Sequence, residues 1–380
     1  MEREIEAWSV ASGGFSTRGD SLHVLVVSHF DRDHVNGLVR LNDSGFAPRK
    51  VIMPFLNPAE RVMQLLRNVA APQRQARSNR DREDDTFADQ VAIDPEGVIG
   101  RLWPEAEVVL VGPDEESADN RSEQGDGATV VELDPDLAAS FDANSGVRVS
   151  RSSSSATPAE VIWAYQWRVH RALPAGSVLP ASLAQGLMKL LGLSPREVVS
   201  PEDVWRAISA KNRWRDVADL YRKLLTHRDL NPYSLVLWSG PGPNVRRVTT
   251  SRGVTLRGLY PLGDGALRPW FRSGGWLGTG DAMLRSSVDV DKLISYFGRT
   301  LDEVDVMNAP HHGSRHNSST ELYKRVPDRS SVILAPADGR NGFNHPHAAM
   351  VDAALTEGCA VIRVGDSEHQ RFAWSVTVRA

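Results

Sequence analysis

The stretch that most constrains this chain is Leu22 to Gly37, where an apolar run stops abruptly at His29-Phe30-Asp31-Arg32-Asp33-His34. Leu22 to Val27 is short, β-branched and almost continuously apolar, the pattern of a strand buried on both faces. Beyond Asp33, Val35, Leu38 and Val39 recur at helical spacing, so the polar cluster lies on a turn between strand and helix. Taken singly, an Asp or His at a strand end is a cap or a solvated loop residue. Together, two carboxylates and two imidazoles so close in sequence would repel or crowd unless a cation lay among them. His and carboxylate donors converging on one turn suit a metal ion.

The rest of the chain narrows which chemistry is open. One cysteine, Cys359, excludes an intrachain disulfide and a Cys-rich zinc site, so a metal must be held by His and carboxylate. Lys+Arg 44 against Asp+Glu 48 gives a net charge of -4, so nucleic-acid binding would depend on a local patch. No apolar run approaches the roughly 20 residues that span a bilayer, and Met1 to Glu6 carries no signal-like segment. The expectation is a cytoplasmic protein without membrane contact. With 380 residues the chain can form one large domain or two ordinary ones.

Along the chain, strand and helix signals alternate. A short helix is expected around Ile5 and Trp8, a strand at 51–55, and an amphipathic helix at 59–70 through Val62, Leu65, Leu66 and Val69. Residues 74–85 are dominated by charge and read as a mobile loop. Segments 114–126 and 150–155 read as surface loops or linkers, 161–167 as a strand, and 181–193 and 202–225 as helices. The second of these helices carries Lys211, Arg213, Arg215, Arg222 and Lys223, which Arg228 extends. Strands then end at Asp281 and before Pro310-His311-His312-Gly313-Ser314. A further helix opens at Phe343-Asn344-His345-Pro346-His347.

Polar residues of one type thus recur where strands stop, the edge on which α/β folds gather reactive groups. On these residues the chain resembles the metallo-β-lactamase superfamily. The family pattern His-x-His-x-Asp-His reads here as His29 to His34, with Asp31 in place of the second histidine. That change resembles the branch containing the soluble domain of the competence DNA-uptake channel protein. Asn231 to Leu237, Gly278-Thr279-Gly280-Asp281, Ala309 to Ser314 and Asn344-His345-Pro346 resemble the same branch, in the same order. A constellation of this kind is far more specific than any one motif.

The resemblance implies a single domain over 1–380, a four-layer αββα sandwich with its core at 22–55 and 230–365 and a partly helical insertion at 57–230. It implies two divalent ions, zinc or manganese with magnesium possible. His29 and Asp31 would bind the first ion, Asp33, His34 and His311 the second, and Asp281 would bridge them. Asp33 would also orient the attacking water. His312 and His345 would ligate, hold a phosphate or protonate the leaving group, and Ser314 and Asn344 would contact substrate. Carboxylate donors in place of histidine favour harder ions. Only 28 residues precede His29, and none reads as the family's opening hairpin, so the expectation is that either the true start lies upstream or the fold lacks its first strands and exposes a sheet edge.

The implied activity is hydrolysis of phosphodiester bonds by a metal-activated hydroxide, with a nuclease as the leading expectation. The basic 211–228 segment and Arg246, Arg247, Arg252 and Arg257 would meet the nucleic-acid backbone. A small-molecule phosphodiesterase is one alternative. Another is an inactive or metal-poor binding subunit of a multi-protein defence-type system, with its partner surface on the 57–230 insertion or the open sheet edge.

Overall fold

The computed structural model describes residues 21–71, 79–111, 163–171, 179–224, 233–241, 247–256, 273–325, 332–337, 344–365 and 370–379. The expectations for 1–20, 114–126 and 150–155, and those resting on Arg228, Asn231, Arg246 and Arg257, lie outside them. The described residues fall into two compact α/β units. Those within Met1–Pro113 and Arg171–Tyr233 form the first, and those within Asp114–His170 and Ser234–Ala380 the second. The segment 57–230 is therefore shared between the units.

In the first unit β1 (Ser21–Val26), β2 (Ala47–Pro54) and β3 (Glu107–Val111) form a parallel sheet in that order. β1 runs into α1 (Arg32–Val35) and α2 (Gly37–Asp43), and β2 into α3 (Pro58–Ala70). Asn57 and Glu60 cap α3 reciprocally, the side chain of each accepting the other's backbone N–H, with Pro58 at the first turn. α4 (Asn79–Ile93) and α5 (Pro95–Leu102) precede β3, and α6 (Ala181–Leu191), α7 (Pro201–Lys211) and α8 (Trp214–Leu224) complete the unit.

Two expectations are corrected here. The charged run 74–85 is not a loop from Asn79 onward, because it leads into Ala88, Val91, Ala92 and Ile93, whose burial anchors one continuous α4. The helix expected at 202–225 is two helices. Asn212 takes the left-handed conformation at φ 50°, and Arg213 N–H closes back on the Ile208 carbonyl, which terminates α7.

One apolar core joins Val62, Leu65, Leu66 and Val69 of α3 to Leu183, Leu187, Ile208 and Val217. A second packs Val27, Phe30 and Val35 around the motif against Val51, Met53, Val91 and Trp103. Turns at 28–34 are thus pinned from below by residues that water does not reach.

The second unit has a six-stranded mixed sheet in the order β10-β9-β8-β7-β5-β4, formed by β4 (Trp163–Arg171), β5 (Tyr233–Pro241), β7 (Gly275–Gly278), β8 (Val304–Asn308), β9 (Val332–Pro336) and β10 (Ala360–Val364). β7, β8, β9 and β10 are mutually parallel, and β5 runs antiparallel to β7. A separate antiparallel pair joins β6 (Arg247–Leu256) to β11 (Gln370–Arg379). α9 (Ser287–Phe297), α10 (Thr320–Arg325) and α11 (Ala348–Thr356) supply Leu293, Leu322 and Val351 to a core that includes Leu277, Met307, Ile333 and Val361. Among the described residues, no helix is long and apolar enough to cross a membrane.

Candidate functional site

In the first unit the His/Asp cluster lies where β1 gives way to α1. Val27 N–H still reaches the Ile52 carbonyl at 2.9 Å, so the parallel register holds to the edge of the motif. Phe30 and Val35 are fully buried, which fixes the turn on either side of Asp31. His29 is 2% exposed, whereas the Asp33 side chain is 56% exposed. Ser28 Oγ lies 3.0 Å from His29 Nδ1 and 3.2 Å from His34 Nδ1, and the two ring centroids are 3.8 Å apart.

A hydroxyl oxygen has two lone pairs and can accept from both Nδ1–H groups. With that arrangement both Nε2 atoms carry the lone pair, the tautomer that ligation through Nε2 uses. His29 and His34 each offer a ligand nitrogen within 4.8 Å of the other, as do Asp33 and His34 a carboxylate oxygen and a nitrogen. His34 Nε2 lies 3.7 Å from Asp33 Oδ2. The donor chemistry of His29, Asp33 and His34 therefore fits a divalent cation.

Asp31 is differently placed. It is the N-cap residue of α1, and its carbonyl accepts from His34 N–H and Val35 N–H at 3.0 and 3.1 Å, but its carboxylate makes no capping bond. Instead Oδ1 accepts from Gln64 Nε2 at 2.6 Å, and Oδ2 pairs with Arg67 Nη2 at 2.7 Å. Oδ2 also faces His29 Nε2 at 3.6 Å.

Gln64 Nε2 bonds Asn68 Oδ1 as well, and Asn68 Nδ2 donates to the Phe30 and Ala88 carbonyls at 3.3 and 3.2 Å. Glu60, Gln64 and Asn68 are all buried along one face of α3. Sequence reasoning missed Gln64, Arg67 and Asn68. The available signal was polar residues at positions 60, 64 and 68, one helical stripe, opposite an apolar one.

In the second unit the reactive groups are held by turns. Asp281 is 3% exposed; its N–H donates to Ser234 Oγ at 2.9 Å and its carbonyl accepts from Asn317 Nδ2 at 2.9 Å. Ser234 thus anchors the Asp281 backbone. His311 N–H reaches the Gly280 carbonyl at 2.9 Å, and its Nδ1 lies 3.2 Å from Asp281 Oδ2.

His311 and His312 have φ of 48° and 56°, and Gly313 follows at 88°. Successive left-handed non-glycine residues are strained, a condition concentrated at functional turns. His312 Nδ1 donates to the Pro336 carbonyl at 2.9 Å, which leaves its Nε2 with a lone pair. The His311 and His345 centroids are 5.6 Å apart, and those of His312 and His345 6.4 Å. Burial, with the His311 and His312 rings beside it, pushes His345 down to about 4 against the opposing pull of Asp281. A neutral His345 offers a lone pair and a single N–H at pH 7.

Ser314 is buried, and its Oγ accepts from His316 N–H at 3.2 Å, shaping the turn. Asn344 is exposed with φ 56°. The basic residues expected to meet nucleic acid are partly committed elsewhere. Arg213 pairs with Asp216 at 2.7 Å, Arg222 with Asp219 at 3.1 Å, and Lys211 bonds the Leu191 carbonyl.

Comparison with family models, with curated proteins and with solved structures finds no match to this chain.

Proposed function

We propose that this chain is a metal-dependent hydrolase of phosphodiester bonds, with nucleic acid as the leading substrate class. The observation that carries the reading is the hydrogen bonding of the imidazoles. Ser28 serves the Nδ1 atoms of His29 and His34, and the Pro336 carbonyl serves that of His312, so each ring can present Nε2 to an electrophile. His29, Asp33 and His34 of the first unit, and Asp281 and His311 of the second, would be donors to two divalent ions, as the resemblance of the motifs and their order to the metallo-β-lactamase superfamily implies. When bound, zinc or manganese would supply Lewis acidity, an acidified water and neutralisation of phosphate charge.

This chain's own residues would do the rest. Asp33, the most exposed carboxylate of the first motif, would orient water and accept its proton. His312 and His345 would face the phosphate and the leaving oxygen, with neutral His345 offering its single N–H as a hydrogen-bond donor. A small phosphodiester is the second reading, favoured by the aspartates that pair with Arg213 and Arg222 of the expected basic track. An uncommitted basic track is what a polymer backbone would require.

The test is cleavage of single- and double-stranded DNA and RNA, and of a chromogenic phosphodiester, with manganese, magnesium or zinc. Asp33→Ala should lower the rate by more than about 100-fold, beyond the 10–100-fold typical of groups that only orient ligands. Polymer cleavage that falls steeply with salt identifies a nuclease, and salt-insensitive turnover of the small ester alone identifies the second reading. Protein that binds no metal and cleaves nothing sinks both.

A further inference from the structure

We propose that Asp31 is a positioning residue and not a metal ligand: Gln64 and Arg67 of α3 clamp its carboxylate, and the clamp fixes the turn that presents His29, Asp33 and His34. The proposal rests on the reading above that those three residues hold a cation. Both carboxylate oxygens are engaged, Oδ1 by the Gln64 amide at 2.6 Å and Oδ2 by the Arg67 guanidinium at 2.7 Å. Oδ2 is also the oxygen nearer His29 Nε2, at 3.6 Å. A divalent ion taken up there would stand beside a guanidinium held on the same oxygen, and like charges so close in a half-buried site repel.

Geometry points the same way. The Asp31 and Arg67 side chains are 13% and 14% exposed, so this is a sheltered, hydrogen-bonded ion pair rather than a screened surface contact. Asn68 extends the grip to the backbone on the other side of the turn through the Phe30 carbonyl, and Gln64 ties Asn68 to Asp31. Helix α3 thus holds the motif at two consecutive residues, one by side chain and one by main chain. A carboxylate in place of a histidine at position 31 is accounted for by the cation opposite it: an imidazole would leave Arg67 unpaired in the protein interior.

The test measures zinc affinity by competition with a chromophoric chelator, alongside thermal unfolding, for Asp31→Asn, Arg67→Gln, Arg67→Lys and the Asp31→Asn/Arg67→Gln pair. His29→Ala serves as the control that must lose zinc. As a positioning clamp, Arg67→Gln weakens zinc binding by about 10-fold or more, the range for partners that orient ligands. Arg67→Lys keeps most of the affinity, and the double variant returns to within about 3-fold of the parent because no charge is left unpaired. As a ligand, Asp31 would give the opposite pattern. Arg67→Gln would leave affinity unchanged or raise it by removing a nearby cation, and the double variant would stay as weak as Asp31→Asn; either result overturns the proposal.

If the parent binds no zinc, the metal reading fails and the clamp is decided by unfolding alone. Each single variant must then lower the melting temperature, with the double variant lowering it by less than the sum. Additive losses overturn the clamp.

Discussion

The two candidate clusters, one in each unit, are built by different means. In the first unit, His29 to His34 is held by side chains of a neighbouring helix: Gln64, Arg67 and Asn68 reach across to Asp31 and the Phe30 carbonyl. In the second, the Asp281 backbone is held by the Ser234 hydroxyl and the Asn317 amide, while His311 N–H and the His312 ring bond the Gly280 and Pro336 carbonyls from a turn with three consecutive positive φ values. A site held by side chains can be loosened one hydrogen bond at a time. A turn built on left-handed backbone fails when that conformation is removed.

Gly313→Ala should therefore be the most damaging single change. Its φ is 88°, and a Cβ there would come within 2.6 Å of Met350 Cε and 2.7 Å of Pro346 Cβ. A loss of about 3 kcal/mol is expected from strain and overpacking together, read as a lowered urea midpoint. Should Gly313→Ala prove neutral, the turn is not conformationally locked and the contrast collapses.

Asn68→Leu comes next, since it takes the Asn68 amide donor from the Phe30 and Ala88 carbonyls and from its buried surroundings, and about 2 kcal/mol should be lost in the same measurement. Ser234→Ala removes one acceptor from the Asp281 N–H and should cost about 1 kcal/mol. A larger effect for Ser234→Ala than for Asn68→Leu would reverse the ranking.

The last effect concerns pH. His345 titrates near 4 when folded and near its ordinary 6.5 when unfolded, so below pH 6.5 the unfolded chain binds a proton that the native state does not. Its contribution to stability is present above pH 6.5 and is lost as pH falls toward 4. Urea midpoints of His345→Gln should decline less than the parent's between pH 7 and 4.5, and equal declines would remove His345 from the acid response.

Residue type and order alone made the strand-end histidines legible, because an apolar run that stops at imidazoles and carboxylates has few structural uses. The α3 clamp was not legible for a physical reason. A hydrophobic period says which helix face is apolar, but it does not say whether the opposite face meets water or another part of the chain. Gln64 and Asn68 lie off the apolar stripe and are nevertheless buried. The helix break at Asn212 was hidden because asparagine tolerates the left-handed conformation without the glycine that usually announces it. The helical character of 79–93 was hidden because its anchoring apolar residues lie at its far end.

Helix α3 also connects regions far apart in sequence. Its first turn is closed by its own Asn57–Glu60 box, its middle grips the motif, and its final carbonyl at Ala70 accepts from Arg222 of α8 at 2.7 Å. Its apolar stripe lies against Leu183, Leu187, Ile208 and Val217. The helices at 181–224 therefore serve as a keystone rather than an ornament. Excising them would bare the back of the helix that steadies His29 and His34, so a shortened chain designed to keep only the motif would lose the motif's footing.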